Sequence, residues 1–387
     1  MNRGRLVFAQ LLDFVPFSHF EHLVDHYASN HGIKHFSAWN QFLCVAYSQL
    51  TRREGLRDLV ACLNSHRSKL YHLGIRGKIS RSTLADANER RDWRLFEALG
   101  HRLITTAVEL CRDEGSGLGL KEPLYAMDST TIDLCLTLFP WADFRSTKAA
   151  VKAHTVIDLR GSIPVFVHIT SGKVHDVNVL DMIQWPTGAI VVVDRGYLDF
   201  ARLQSLHQRQ VSFVIRAKDN LRYTWIASRE VNKSTGLRSD QSIVLATPKS
   251  KLAYPDRLRR VSIRDPDTDK FLVFLTNRFD LPALTIAEIY RKRWQVETFF
   301  KWIKQNLSIK HFFGNSINAV KSQIWIAVCV YLIVIIARKR LNLPVSPQLL
   351  LNIIEVNMFE KTHIEKLVFD AVLHFSDDHV DNQMILL

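Results

Sequence analysis

Residues 189–218, AIVVVDRGYLDFARLQSLHQRQVSFVIRAK, decide the fold of this chain. The run AIVVVD is apolar up to its last residue, which indicates a β-strand covered on both faces. DFARLQSLHQR then has the residue spacing of a helix, and SFVIRAK is a second β-rich run. A strand, a helix and a strand in this order are typical of a sheet with helices on its faces. The sequence therefore predicts an α/β fold built on a mixed sheet.

Further β-rich runs lie on both sides of this stretch. LYAMDSTTIDL (124–134), VKAHTVIDL (151–159) and SIPVFVHIT (162–170) follow one another closely, as in an antiparallel meander. After the decisive stretch, residues 219–281 contain YTWIA, SIVLA, RRVSIRD and FLVFLTN, separated by polar turns. This second group predicts an antiparallel β insertion that interrupts the core.

The two ends of the chain have a helical pattern. Residues 1–120 place apolar side chains three and four positions apart, which predicts an all-α N-terminal domain. A core over residues 121–345 and a C-terminal helical segment over residues 346–387 complete the predicted organisation. Within the core, residues 324–337 are apolar and uncharged, but a membrane span needs about 20 such residues. We therefore predict a buried helix there and no membrane partner.

Charge and cysteine usage narrow the class of protein. The chain has 387 residues, a formal net charge of +13 and 47% hydrophobic residues, which is typical of a globular protein with more than one domain. Basic residues are spread along the whole sequence, so nucleic acid is the favoured partner, although ordinary surface charge is the alternative. The five cysteines contain no CxxC pair, which predicts reduced thiols in a cytoplasm.

One predicted helix carries a run of reactive side chains, IYRKRWQVETFFKWIK (289–304). Its Tyr290, Arg293, Glu297 and Lys304 lie three, four and seven residues apart, within roughly 40° of one line along a helix. A carboxylate beside an aromatic ring and two cations is suited to binding phosphates. The alternatives are an i,i+4 surface pair between Arg293 and Glu297, and a core position for Tyr290.

Three acidic residues are candidates for metal binding. Asp128 is predicted to end the first strand, Asp194 ends the apolar strand AIVVV, and Glu297 lies on the helix just described. Carboxylates at the ends of adjacent strands, joined by one from a helix, can hold two Mg²⁺ ions for in-line attack on phosphorus. An aspartate at a strand end is also common as a turn former or helix cap, so this interpretation depends on the combination.

These motifs together resemble one known family. The pattern Y-x2-R-x3-E-x6-K at residues 290–304 resembles the signature of the insertion sequence 4 family of bacterial DDE transposases. DRGY at residues 194–197 and MDST at 127–130 resemble the segments around the second and first catalytic aspartates of that family. The similarity covers roughly residues 120–340, and the helical N-terminal part more loosely resembles the domain that precedes the core in some relatives. It implies that residues 121–345 are the catalytic core and that residues 1–120 bind DNA ends.

The resemblance implies an RNase H-like core and a role for each matching position. Asp128, Asp194 and Glu297 would be catalytic and would ligate two Mg²⁺ ions, for which Mn²⁺ may substitute. Tyr290 and Arg293 would contact the DNA of the transposon end, and so would Lys304.

Several further residues are predicted less directly. His175 and Asp176 resemble a His-Asp pair of the family and are predicted to support the site, with a simple turn as the alternative. The remaining predicted DNA contacts are basic residues for which a solvated surface is the alternative: Lys301, Arg195, Arg216, Lys152, Arg90 and Arg91.

The predicted function is that of a DNA transposase. It would bind the inverted-repeat ends of its own element, cut them and join their 3′ ends to target DNA, acting as a homodimer on DNA in the bacterial cytoplasm and nucleoid. An RNase H-like nuclease without strand transfer is one alternative. A DNA-binding regulator derived from a transposase is the other, although a binding protein has no need for three metal-ready carboxylates.

Overall fold

The structure is a computed structural model that describes residues 4–145, 148–265, 268–306 and 312–381. The chain folds into two compact units. The helical unit comprises Met1–Cys111, Leu134–Trp141 and Lys301–Leu387, and the sheet unit comprises Arg112–Asp133 and Ala142–Phe300. The functional domains predicted from the sequence, with boundaries at residues 120 and 345, are drawn differently and stay a prediction.

The helices of the described residues fall mostly at the two ends of the chain. In chain order they are α1 (Val7–Leu12), α2 (Phe17–His26), α3 (Ala38–Leu50), α4 (Leu56–Ser65), α5 (Arg67–Leu70), α6 (Arg81–Arg90), α7 (Arg94–Leu110), α8 (Phe200–Gln208), α9 (Pro248–Ala253), α10 (Ala283–Lys292), α11 (Trp294–Asn306), α12 (Ile317–Arg340), α13 (Pro347–Asn357) and α14 (Ile364–Asp381). Serine hydroxyls at positions 37, 80, 316 and 346 accept hydrogen bonds from backbone amides and so fix where four of these helices begin.

Helix α12 is the centre of the helical unit. By length and composition it could cross a membrane, but 94% of its most apolar window is buried inside the protein. It packs against α3, α6, α7 and α13, which is the arrangement expected of a core helix. It approaches α7 so closely that a Cβ added to Gly100 would lie 2.8 Å from the ring of Trp325. The buried helix predicted over residues 324–337 is thus present and is longer than predicted.

Strands fill the sheet unit. They are β1 (Leu124–Leu134), β2 (Asp143–Arg145), β3 (Lys148–Asp158), β4 (Ile163–Ser171), β5 (Ile190–Val193), β6 (Ser212–Arg216), β7 (Tyr223–Arg229), β8 (Leu237–Leu245), β9 (Leu258–Arg264) and β10 (Phe271–Thr276). Among the described residues they form one sheet with the order β2-β3-β1-β5-β6-β10-β9-β8-β7, and β4 pairs with β3. The β-branched side chains of β5 are all buried, as predicted for a strand covered on both faces.

The first half of this sheet is RNase H-like. β3 and β4 are antiparallel, whereas β1, β5 and β6 run parallel to one another. The neighbours are β4-β3-β1-β5-β6 in this order, with α8 as the crossover between the last two strands. This arrangement confirms the predicted α/β fold with a mixed sheet flanked by helices.

The predicted insertion is present but does not stand apart from the core. Its last strand, β10, pairs antiparallel with β6, with Phe274 opposite Arg216. β9, β8 and β7 follow in turn, so the insertion extends the same sheet outward. β7 is the last strand in this order and its pairing with β8 is bulged between Trp225 and Ala227.

The helix that was predicted to carry residues 289–304 is in fact two helices. α10 ends at Lys292 and α11 begins at Trp294, with Arg293 between them. At the break, Arg293 donates its amide to the Tyr290 carbonyl at 3.1 Å, and Val296 donates to the Arg293 carbonyl at 3.0 Å. These i→i−3 hydrogen bonds tighten the turn at Arg293. The single straight stripe of four residues expected from the sequence is therefore wrong.

Candidate active site

Two aspartates lie side by side on neighbouring parallel strands. Asp194 directly follows β5, whereas Asp128 lies inside β1, which continues to Leu134, so the prediction that Asp128 ends its strand is wrong. β1 and β5 pair with Ala126 opposite Val192, so Asp128 and Asp194 follow at equivalent positions two residues further on. Asp194 also caps the short 3-10 helix Arg195–Tyr197, since its Oδ1 accepts the amide hydrogen of Gly196 at 2.6 Å. The helix-cap alternative considered for Asp194 is thus present, and the same side chain stands beside Asp128.

Arg293 joins two of the three predicted acids. Its Nη1 donates to Asp128 Oδ2 at 2.7 Å, and its Nη2 donates to Glu297 Oε1 at 2.5 Å. The side chain is 15% exposed, and its Nε is buried without a hydrogen-bond partner among the described residues. From the break between α10 and α11, the guanidinium of Arg293 thus contacts Asp128 in the middle of β1 and keeps the i,i+4 pair with Glu297.

The electrostatics of Asp128 reflect its surroundings. Burial raises the pKa of Asp128 to about 6, and the charges of Asp194 and Glu297 act in the same direction. The amide hydrogen bond from Ser129 and the charge of Arg293 oppose that rise. Desolvation dominates because burial penalises the charged form of a carboxyl group. A proton on Asp128, or a positive charge beside it, relieves this penalty, and Arg293 supplies such a charge in the structure.

Tyr290 and Arg216 stand near the same acids. The ring of Tyr290 lies 4.6 Å from the ring of Phe274 on β10, and the guanidinium of Arg293 lies 5.7 Å from the centre of the Tyr290 ring. Burial raises the pKa of Tyr290, while the charges of Arg293 and Arg216 lower it. Tyr290 is only partly buried, so its phenol retains access to solvent.

A network around Asp176 contacts the middle of β1, next to Asp128. Ser129, next to Asp128, donates its Oγ hydrogen to Asp176 Oδ1 at 2.7 Å. Lys152 donates from Nζ to the same Oδ1 at 3.2 Å and to the Val174 carbonyl at 3.1 Å. Asp176 thus contacts the residue next to Asp128, and its supporting role stays a prediction. His175 is exposed and its side chain caps nothing, which does not match the predicted pair.

A buried histidine takes the place expected for His175. His154 on β3 is fully buried, with Nδ1 at 3.5 Å from Asp176 Oδ1 and Nε2 at 2.9 Å from Thr170 Oγ1. Burial lowers the pKa of His154 to about 4, so the ring is neutral at pH 7. The sequence alone does not mark His154 as a site residue, because only the long-range packing of β3 covers it.

Two of the predicted DNA contacts are corrected by their burial. Arg91 is 6% exposed, and its guanidinium donates to the Ser29 and Phe36 carbonyls and to Gln41 Oε1. Burial lowers the pKa of Arg91 to about 10. Lys152 is 14% exposed at its side chain and is paired with Asp176. Both cations stabilise the fold in this structure and are not presented to DNA.

The other predicted basic contacts remain accessible. Arg90, Lys301 and Lys304 are exposed, and Arg216 is partly buried at the end of β6. Arg195 is about half exposed, with Nη1 at 3.7 Å from Asp219. Such an exposed, loose pair leaves the guanidinium available to a phosphate.

The residues present suit a hard divalent cation in their chemistry. In the part of the chain that the structure describes, no three His, Cys, Asp or Glu side chains converge closely enough to hold a metal ion. The guanidinium of Arg293 stands between Asp128 and Glu297 and supplies the positive charge there. The donor atoms of the three acids are nevertheless all carboxylate oxygens, the ligands that Mg²⁺ prefers, and the desolvated Asp128 favours a cation.

The strand order, with aspartates side by side on two adjacent parallel strands, is that of the RNase H-like class of proteins. Comparison with known families gives the finer assignment. The family described as transposase DDE domain matches residues 119–333, more than half of the sequence, and this chain belongs to that family. A domain of unknown function (DUF4372) matches residues 3–76. Transposases of this family bind DNA, transfer polynucleotide strands and generally use divalent metal ions.

Individual relatives agree with this assignment. The putative transposase y4zB of Sinorhizobium fredii is 32% identical over 68% of this chain and 73% of its own length. The probable transposase for insertion sequence element IS5377 of Geobacillus stearothermophilus is 33% identical, over 60% of this chain and 61% of its own. The putative transposase for insertion sequence element IS4SA of Synechocystis is 26% identical, over 70% of this chain and 75% of its own length.

One solved structure is similar at a lower level. The piggyBac transposase synaptic complex with hairpin DNA aligns with 95% of this chain and 80% of its own, at a TM-score of 0.47 and 9% identity.

Proposed function

We propose that this protein is a cut-and-paste DNA transposase that cleaves the ends of its own insertion sequence and joins the 3′ ends to target DNA. The observation that carries the proposal is the contact of one guanidinium with both Asp128 and Glu297, beside Asp194. This contact gathers acids from a strand and a helix that are 169 residues apart in sequence, 297 − 128. Such a gathering has no function in a simple DNA-binding surface, where acids repel phosphates.

We assign Asp128, Asp194 and Glu297 as the residues that would hold two Mg²⁺ ions, with Mn²⁺ as a substitute. When bound, these ions would activate a water or a 3′-hydroxyl and stabilise the leaving oxygen of the phosphodiester. Asp194 keeps one oxygen in its helix cap and has the other available. Because Asp128 is desolvated, its negative charge is costly beside those of Asp194 and Glu297 unless a positive charge is near.

The cations and the tyrosine would hold the DNA strand. Arg293 already contacts Asp128 and Glu297, so we propose that its guanidinium would meet a phosphate only once a metal ion takes over those oxygens. An arginine can bind a phosphate with two parallel hydrogen bonds, and a lysine supplies a compact charge. Tyr290, Arg216 and Arg195 would contact DNA near the acids, and Lys301, Lys304 and Arg90 are further contacts with DNA. We further propose that the protein acts as a homodimer on DNA, in the bacterial cytoplasm and nucleoid.

The test is a set of substitutions that remove one charge each. We expect Asp128→Asn, Asp194→Asn and Glu297→Gln each to abolish Mg²⁺-dependent cleavage of labelled element ends, since each removes an oxygen ligand of the metal pair. Binding of uncut ends should be retained, because the three acids do not attract phosphates. Cleavage and binding are measured on the same purified proteins.

Glu288→Gln is the matched control, because Glu288 is an exposed glutamate on the neighbouring helix α10. It should cut at the rate of the unaltered protein. Cleavage by Glu297→Gln would show that the assignment is wrong. A strand-transfer assay separates a transposase from the nuclease alternative, since only the transposase yields element ends covalently joined to target DNA.

A further inference from the structure

The most basic exposed segment of the helical unit is a turn between α5 and α6. Residues 66–85 carry five Lys or Arg side chains and no Asp or Glu. Within this segment, GIRGKISR at residues 74–81 forms what we call the basic turn. Arg76, Lys78 and Arg81 are all exposed there. No described acidic side chain forms an ion pair with any of the three, so their charges are uncompensated.

The backbone of the basic turn is held at both ends. Ile75 and Ile79 are each 3% exposed and anchor it in the core. The Ile75 amide donates to the Leu70 carbonyl at 3.2 Å, and Gly74 takes a left-handed φ of 99° at the corner. On the other side, Asn64 donates to the Ile79 carbonyl at 2.9 Å and accepts its amide hydrogen at 3.0 Å. The fold therefore projects Arg76, Gly77 and Lys78 outward from a fixed base.

Neighbouring groups fit the same kind of ligand. Tyr71, just before the turn, is 55% exposed, and its ring lies 5.7 Å from that of His72. An exposed aromatic ring beside cations is a common feature of nucleic-acid surfaces. Lys69 does not belong to this surface, because its Nζ is 3.4 Å from the Phe359 carbonyl and 5.5 Å from the centre of the Phe359 ring.

One of the two cations predicted to contact DNA in this region is not available, because Arg91 at the end of α6 is buried. Arg90 remains exposed, and three further exposed cations, Arg76, Lys78 and Arg81, lie before and at the start of α6. The structure thus adds the turn that precedes α6 to the candidate DNA contacts of this region.

We propose that the basic turn binds the phosphate backbone of duplex DNA through Arg76, Lys78 and Arg81. The ligand is DNA because the turn combines uncompensated cations with an exposed aromatic ring, and because it belongs to a chain whose family acts on DNA. In that respect the proposal rests on the proposed function. Since the contacts are to phosphates, they fix where the duplex lies and do not read its sequence.

The experiment measures how DNA affinity depends on salt. The logarithm of the association constant for DNA falls linearly with the logarithm of the salt concentration. Each phosphate contact that is lost should make this slope about one unit less steep. The variant Arg76→Ala/Lys78→Ala should therefore lower the slope by about two. It should also bind a short duplex of unrelated sequence roughly tenfold more weakly at moderate salt. Both side chains are exposed, so Tm should not change, and this is measured first.

A matched control is Lys361→Ala/Lys366→Ala, which removes two exposed cations that stand beside Glu360 and Glu365. Its slope should remain that of the unaltered protein. An unchanged slope in Arg76→Ala/Lys78→Ala would overturn the proposal. So would a loss of affinity confined to element-end DNA, since phosphate contacts do not depend on sequence.

The two proposals fail separately. If the unaltered protein does not cut element ends in Mg²⁺ while the slope falls as expected, the proposed function fails and the basic turn stands. If the ends are cut and the slope does not change, only the basic turn fails.

Discussion

At the residue scale, Arg293 balances the charge of two carboxylates that come from different parts of the chain. Its contacts at 2.7 Å and 2.5 Å compensate Asp128 and Glu297 without a metal. Breaking a partly buried pair on one side leaves the remaining charge desolvated and costly. The same guanidinium therefore stabilises the folded site and competes with any cation that binds these oxygens.

This competition predicts that Arg293→Ala binds Mg²⁺ more tightly than the unaltered protein. Without the guanidinium, the ion no longer has to displace two charge-assisted hydrogen bonds. The apparent Kd for Mg²⁺, taken from the rise of Tm with added magnesium chloride, should fall by roughly tenfold. Arg291→Ala is the control, since Arg291 is exposed on α10. Weaker Mg²⁺ binding in Arg293→Ala would refute the competition.

A second prediction at this scale concerns pH and His154. Burial lowers the pKa of His154 from 6.5 to about 4. The charges of Lys152 and His168 lower the pKa further, whereas the charge of Asp176 raises it. The unfolded chain then binds this proton more tightly than the folded one. The stability that depends on neutral His154 is complete above pH 6.5 and is lost as pH falls from 6.5 to about 4.

This loss should reach up to about 3 kcal/mol in the free energy of unfolding. Urea unfolding at neutral pH and at the acid end of that window measures it. His154→Gln, which cannot titrate, should lack most of this loss, whereas His72→Gln should keep it because His72 is exposed. An acid dependence that is the same in His154→Gln and in the unaltered protein would contradict the assignment.

At the element scale, α7 and α12 pack so closely that one position has no room for a side chain. A Cβ at Gly100 would lie 2.8 Å from Trp325 Cε3 and 2.9 Å from Cζ3. We expect Gly100→Ala to lower the free energy of unfolding by about 1–3 kcal/mol, because the overpacking outweighs the better helix propensity of alanine.

Thermal and urea unfolding measure this change. Gly77→Ala is the control, because nothing among the described residues lies within 4 Å of a Cβ added there. It should unfold like the unaltered protein. A Gly100→Ala protein that is as stable as the control would mean that Trp325 can move aside at little cost.

At the scale of the whole molecule, the sequence predicts the local elements better than their long-range packing. The β-branched run of β5 and the eleven residues of β1 were found from composition and periodicity alone. The break at Arg293 was missed, because no proline or glycine marks it. The pairing of β10 with β6 joins segments some sixty residues apart, and no local pattern reports such a contact.

The candidate site divides in the same way. The three acids could be predicted because their spacing and residue types carry the chemistry, and their catalytic roles stay a prediction. The burial of Arg91 and His154 could not be predicted from the sequence, because charged and polar residues are usually exposed. Only the tertiary contacts show that these two side chains are covered. The bridging position of Arg293 likewise depends on how α10 meets β1.

The outermost strand of the extended sheet bears on how the protein behaves in concentrated solution. β7 is exposed along most of its length and ends the row of paired strands, so its unpaired amides and carbonyls are a template for another chain. The bulge between Trp225 and Ala227 interrupts the regular spacing of those groups. Because a bulged edge is a poor template for a further strand, we expect it to oppose edge-to-edge association where the insertion leaves the sheet open.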